Sequence, residues 1–300
     1  MINAVVLVAV LCALLLIGVA LTIRWSGTEY RPWNPDAGDG GGRPSVDVVA
    51  RRYLRGVAVF LVGGFWAGAL VTGPAVRLVM RLLAVTAGDD AQGKVTEAEE
   101  IVGSITVDGT LGLYIFGGIL PGLLSGAIYV LFRAWLPSGR LGGVAFGFLH
   151  LVIAATRIDP LRPDNPDFDL VGPGWLAVVT YALAALFHGM AVVAFANRFS
   201  RTFPPEAKNR PARTRALLVL ALPVLMLIPG VFLLVPILMG LVVTVVASRI
   251  GPLVRAVRSR GFVVGGRVIV AALALVLLPG AVTDLRDVID RDGIVADETG

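Results

Sequence analysis

Polar and apolar residues fall in long blocks along this chain instead of alternating at short period. Runs of apolar residues about as long as a bilayer's hydrocarbon core is thick are separated by short charged segments, the pattern of a chain that crosses lipid repeatedly. The runs are Asn3–Ile23, Gly56–Val76, Leu111–Phe132, Leu141–Thr156, Trp175–Ala196, Ala216–Ala247 and Phe262–Val282. A spanning helix needs about 20 residues, so Leu141–Thr156 is short, and its expected helix extends to Ile158 with Arg157 reaching outward. Ala216–Ala247 is too long for one crossing, since about 30 residues rise about 45 Å against a core of about 30 Å. Pro229-Gly230 is the expected turn that folds it into a hairpin of two short arms. These elements predict an all-α polytopic transmembrane helical bundle of seven to eight spans.

Charge orients the bundle. With the N-terminus outside and strict alternation, 19 of the 26 basic residues fall on the inner side and 16 of the 21 acidic residues on the outer side. This is positive-inside asymmetry. It places Arg51, Arg52, Arg55, Arg133, Arg140, Arg198 and Arg201 in the cytoplasm, and the 84–110 and 157–174 loops outside. Arg249, Arg255, Arg258, Arg260 and Arg267 return to the cytoplasm only if the hairpin forms. Asn3–Ile23 has no positive residues before it and Arg24 after it, the wrong charge order for a cleaved signal peptide, so it is expected to be a retained anchor.

Composition agrees: 56% of the 300 residues are hydrophobic and 16% charged, with mean hydropathy +0.83. The net charge of +5 therefore reflects membrane topology and does not point to nucleic acid. The single cysteine, Cys12, forms no internal disulfide. Four segments follow: an N-terminal transmembrane anchor (1–23), a flexible cytoplasmic Gly/Pro linker (24–50), the helical bundle (51–283) and an acidic external tail (284–300). The linker composition implies an anchor tethered beside the bundle.

Candidate chemistry is sparse. Gly118, Gly122 and Gly126 recur every fourth residue with Ser125 beside them, a small-residue face for close helix packing. Pro121 is expected to kink that helix. Arg77 and Arg81 share a helix face near the outer end of the second span, and are candidates for binding an anion or lipid headgroup. His150 and His188 lie on consecutive antiparallel spans. Each is ten residues from an inner-boundary arginine, so both rings sit about 15 Å deep and are expected to face one another. Such a pair suits a metal or haem ligand set, a proton relay, or plain hydrogen bonding between helices. With no Cys, Asp or Glu at that depth no resident cofactor is expected, and the absence of carboxylates in the spans argues against ion-coupled transport.

The outer loop Arg157–Asp169 places Pro160, Pro163 and Pro166 at every third position, which predicts a stiff polyproline segment. Its Asp159, Asp164, Asp167 and Asp169 are hard-cation ligands by type, yet no EF-hand glycine is present, and self-pairing with Arg157 and Arg162 competes with metal or a protein partner. Thr96 and Glu99 are spaced as a capping box for a short helix, and Asp108-Gly109 reads as a tight turn into the third span. No nucleophile–base pair, zinc-protease motif, phosphate loop or dinucleotide fingerprint is present.

The run Ile-Thr-Val-Asp-Gly-Thr-Leu (105–111), then Arg-Ala-Trp-Leu-Pro (133–137), then Ile-Asp-Pro and Asp-Asn-Pro-Asp-Phe within 158–168 resembles a group of uncharacterised actinobacterial-type multi-pass membrane proteins. The resemblance covers about residues 55–200. It implies a bacterial inner-membrane location and says nothing of a substrate. The functional expectation is a membrane-integral structural or interaction protein whose contacts are the lipid bilayer and a protein partner at the 157–169 loop. The alternative is a small-solute or ion facilitator with His150 and His188 beside its path.

Overall fold

The computed structural model describes residues 4–31, 44–202 and 227–291. Regular structure among them is helical, apart from one isolated bridge between Val95 and Ile101. The helices are α1 (Ala4–Trp25), α2 (Val46–Ala67), α3 (Gly73–Thr86), α4 (Val107–Leu113), α5 (Leu120–Phe132), α6 (Arg140–Leu149), α7 (Gly174–Thr202), α8 (Leu227–Arg249), α9 (Gly251–Arg258) and α10 (Arg260–Ile289). Five helical stretches are long and apolar enough to cross a membrane: Ala4–Trp25, Val46–Thr86, Val107–Phe132, Gly174–Thr202 and Arg260–Ile289. A sixth is reached if α8 and α9, bent by 108° at Ile250, count as one broken span, and the apolar helix Arg140–Ala155 is shorter.

Three of these stretches contain a π-helical turn, at Gly68–Thr72, Tyr114–Ile119 and His150–Ala155. Two have a local cause. Pro74 and Pro121 each lie two residues beyond a π turn and supply no backbone N–H, so the i→i−4 ladder must be rearranged before them. The carbonyl of Ala69, inside the first π turn, accepts the Tyr114 hydroxyl from the second. The expected distortion at Pro121 is thus a widened turn preceding the proline.

The helices approach closely where side chains are missing. A Cβ on Gly64 would lie 2.0 Å from the Gly122 carbonyl oxygen, and one on Gly126 2.3 Å from that of Phe60. Gly118 meets the backbone of Gly73 in the same seam. The glycine face of the third span therefore packs on α2 and α3, a backbone-to-backbone contact that only small residues permit. Gly147 and Gly189 form a second such crossing between α6 and α7. Phe60, Tyr129, Phe146, Val192 and Phe195 fill the space between these seams.

The linker composition implied an α1 tethered beside the bundle and not central to it. Instead α1 packs on the bundle: Gly18 fits against the Leu70 carbonyl, Leu11 and Thr22 are buried, and the Trp25 ring meets Phe195 edge-on at 5.0 Å. Residues 32–43 of the linker lie outside the described residues, as do the first arm of the Ala216–Ala247 stretch and the end of the acidic tail. The turn at Pro229-Gly230 does not form, because both residues lie inside the first turn of α8, where a proline costs no intrahelical hydrogen bond. The second expected extension also differs: helix stops at Ala155, short of Ile158.

Charged groups collect at opposite ends. At one end Arg133 stacks on Tyr30, Arg201 and Arg55 reach the carbonyls of Glu29 and Ser200, and Trp135 meets Phe262 and Gly266 at the start of α10. At the other, α3, the 88–106 segment, the 156–173 loop and the end of α10 come together. There Asp284 pairs with Arg157 at 3.4 Å, and Arg291 with Asp169 at 3.4 Å.

Candidate functional site: a buried histidine chain and a folded cap

The sequence places His150 and His188 at one level, and the structure brings them into contact. Their ring centroids are 4.8 Å apart. Ser125, from the glycine face of α5, sits between them, with its Oγ 2.7 Å from His150 Nε2 and 2.8 Å from His188 Nε2. Thr72, the last residue of the first π turn, meets His188 Nδ1. His150 is the first residue of the third π turn, and its ring meets that of Phe146 edge-on at 5.1 Å.

A serine hydroxyl carries one hydrogen, so Ser125 donates to one ring and accepts from the other, and the chain is consistent with two neutral rings. The Thr72 hydroxyl lies between His188 Nδ1 and the Ala67 carbonyl. His188 and Ser125 are each 2% exposed, so an unmatched polar atom here would carry its full desolvation cost. The four groups come from four helical segments, all of which the chain ties at one level.

Both Nε2 atoms and His188 Nδ1 are engaged in the chain, and no group of three or more His, Cys, Asp or Glu is placed to hold a metal ion among the described residues. Two of the cavities lie away from the histidines, which line neither. At the arginine-rich end a space of about 310 Å³ is bordered by Glu29, Tyr30, Tyr129, Arg133 and Asn197, where Tyr129 donates to Asn197 Oδ1 at 3.2 Å. At the acidic end one of about 60 Å³ lies between α3 and the loops above it.

Those loops form a cap. Arg162 bonds Glu97 and Asp164 and lies 3.9 Å from Asp159. Asp167 accepts the Glu97 N–H at 2.8 Å, and burial raises its carboxyl above the ordinary carboxylate value. Asn165 accepts from the Asp167 N–H and donates to the Pro160 carbonyl. This Asx turn, followed by a short 3-10 segment at Pro166–Asp169, replaces the expected polyproline run. Leu161 and Phe168 point inward and are buried. Asp159 and Asp164 thus face Arg162, Asp167 the Glu97 N–H and Asp169 Arg291, and the four form no metal-holding group among the described residues.

Two local expectations for the cap are corrected. Thr96 caps no helix; its Oγ1 accepts from Glu100 N–H, closing a tight turn beneath the Val95–Ile101 bridge, with Glu99 at φ 60°. Asp108-Gly109 is no turn but the first turn of α4, whose N-cap Thr106 accepts from Gly109. Arg77 is buried, 7% exposed, and its Nε donates to Thr110 Oγ1 at 3.1 Å. Arg81 donates to the Gly103 carbonyl at 2.9 Å. Thr72 and Thr110 went unremarked in the sequence, where a lone hydroxyl in an apolar run carries no distinguishing signal. No family model, curated protein or solved structure matches the chain.

Proposed function

We propose that the chain is an integral protein of the bacterial cytoplasmic membrane whose role is structural or interactive: a stiff helical bundle that presents the folded cap at the outer surface to a protein partner. The histidine chain is the observation that carries this reading. Its four groups bond to one another and line neither of the two cavities described, which fits a lock between helices better than a solute path. Positive-inside asymmetry supports an arginine-rich cytoplasmic end and, of the seven or eight crossings, the eight that leave both termini outside.

Arg162 organises the cap without touching the bundle core, so Arg162→Glu tests the reading. Crosslinking in membranes followed by purification is expected to lose a specific neighbour in the variant, with helix content and thermal midpoint of the bundle retained. An unchanged neighbour set, or solute flux in proteoliposomes that Ser125→Ala abolishes, contradicts it and favours the facilitator.

A further inference from the structure

The wall of the small cavity under the cap contains a buried cation that the protein leaves partly unmatched. Arg77 lines the cavity and is 93% withdrawn from solvent, yet its Nη2 has no hydrogen-bond partner. A buried guanidinium nitrogen left unmatched is expensive, and oxyanions are its best partners. The acid within electrostatic reach is Glu100, but no ion pair joins the two among the described residues. The Glu100 carboxylate lies instead against the Gly109 backbone, where a Cβ would come within 2.2 Å of Oε1. Asp167 and Arg81 complete the charged lining.

The lining therefore holds two cations and two carboxylates around apolar walls that include Met80 and Phe168. A bare anion would gain Arg77 and face both carboxylates. A ligand with both signs meets each with its opposite. The space open to the centre of a water molecule is about 60 Å³, against about 10–15 Å³ needed for one water by that measure, so only a small group enters.

We propose that this cavity binds a small zwitterionic group, with its oxyanion on Arg77 Nη2 and its ammonium facing Glu100 and Asp167. Two sources share that chemistry: a free amino acid of glycine size, and the phosphoethanolamine headgroup of a lipid. The inference goes beyond the structural role proposed above, and holds or fails whatever Arg162→Glu does to a partner.

The full chain, purified in detergent, is titrated by calorimetry with glycine, O-phosphoethanolamine, acetate and inorganic phosphate. In parallel, native mass spectrometry follows lipid retained from nanodiscs containing phosphatidylethanolamine or phosphatidylglycerol. A zwitterion is expected to bind at least tenfold more tightly than acetate or phosphate. Arg77→Gln is expected to abolish binding, and Glu100→Gln to remove the preference over simple anions. Glu100 is half-exposed, so its variant remains informative if Arg77→Gln does not fold. Glycine binding identifies a free ligand. Arg77-dependent retention of phosphatidylethanolamine over phosphatidylglycerol identifies the lipid. Absence of binding by all four probes with no lipid preference overturns the proposal, as does phosphate binding equally to the wild type and Glu100→Gln.

Discussion

Ser125 holds more of the bundle together than its size implies. It is the one group bonded to both histidines, so Ser125→Ala strips a partner from each ring at once. Buried groups left unmatched cost about 1–3 kcal/mol each in soluble proteins, while polar contacts between membrane helices average about 0.6 kcal/mol. The expected loss is about 1–2 kcal/mol, read as a lower thermal midpoint in detergent. Ser125→Gly is expected to lose a similar amount or more, since glycine also weakens the helix. A midpoint unchanged by both means that the hydrogen bonds add nothing to the bundle. Thr72→Val is expected to cost less, because it strips one ring nitrogen and leaves the Ser125 bridge in place.

At the scale of elements, the seams decide which helices neighbour one another. Gly122 lies with its Cα hydrogen against the Gly64 carbonyl, and a Cβ there would come within 2.3 Å of that oxygen. Backbone on both sides leaves no flexible side chain to yield. Gly122→Ala is therefore expected to separate α2 from α5 and cost about 2–3 kcal/mol, whereas Gly112→Ala, in open space on the same stretch, costs nothing or stabilises slightly. Thermal midpoints of the two variants check the contrast. This seam was legible in advance: glycines every fourth residue mark a contact face, and the depth of His150 and His188 follows from counting residues to the nearest arginine. The partner of that face was not legible, because Gly64 and Gly68 lie in a segment with many small residues. Nor was Thr72, since the π turn that directs it inward follows from Pro74 and from tertiary fit together. The cap was the hardest part. A proline at every third position describes an isolated chain, and Asn165 overrides it with bonds to the backbone on either side. Thr96 and Glu99 have capping-box spacing, but the helix they would start has no apolar face to bury.

Over the whole molecule, segregation of charge by end is the organising feature. Contacts, and not hydropathy alone, gather Arg55, Arg133 and Arg201 at one end with the start of α10. The same is true of Asp159, Asp164, Asp167 and Asp169 at the other, where Asp169 pairs with Arg291 just past α10. α10 therefore runs from the arginine-rich end to the acidic end, as alternation with a cytoplasmic arginine side requires. The most direct test labels single cysteines in intact cells with a membrane-impermeant maleimide, in a background where Cys12 is replaced by Ser. Asp164→Cys reports the cap, and Ser259→Cys the loop between α9 and α10. The expected result is labelling at 164 in intact cells and at 259 only after permeabilisation. Labelling at 259 in intact cells with 164 protected, or equal labelling of both, contradicts a bundle that spans the membrane with its cap outside.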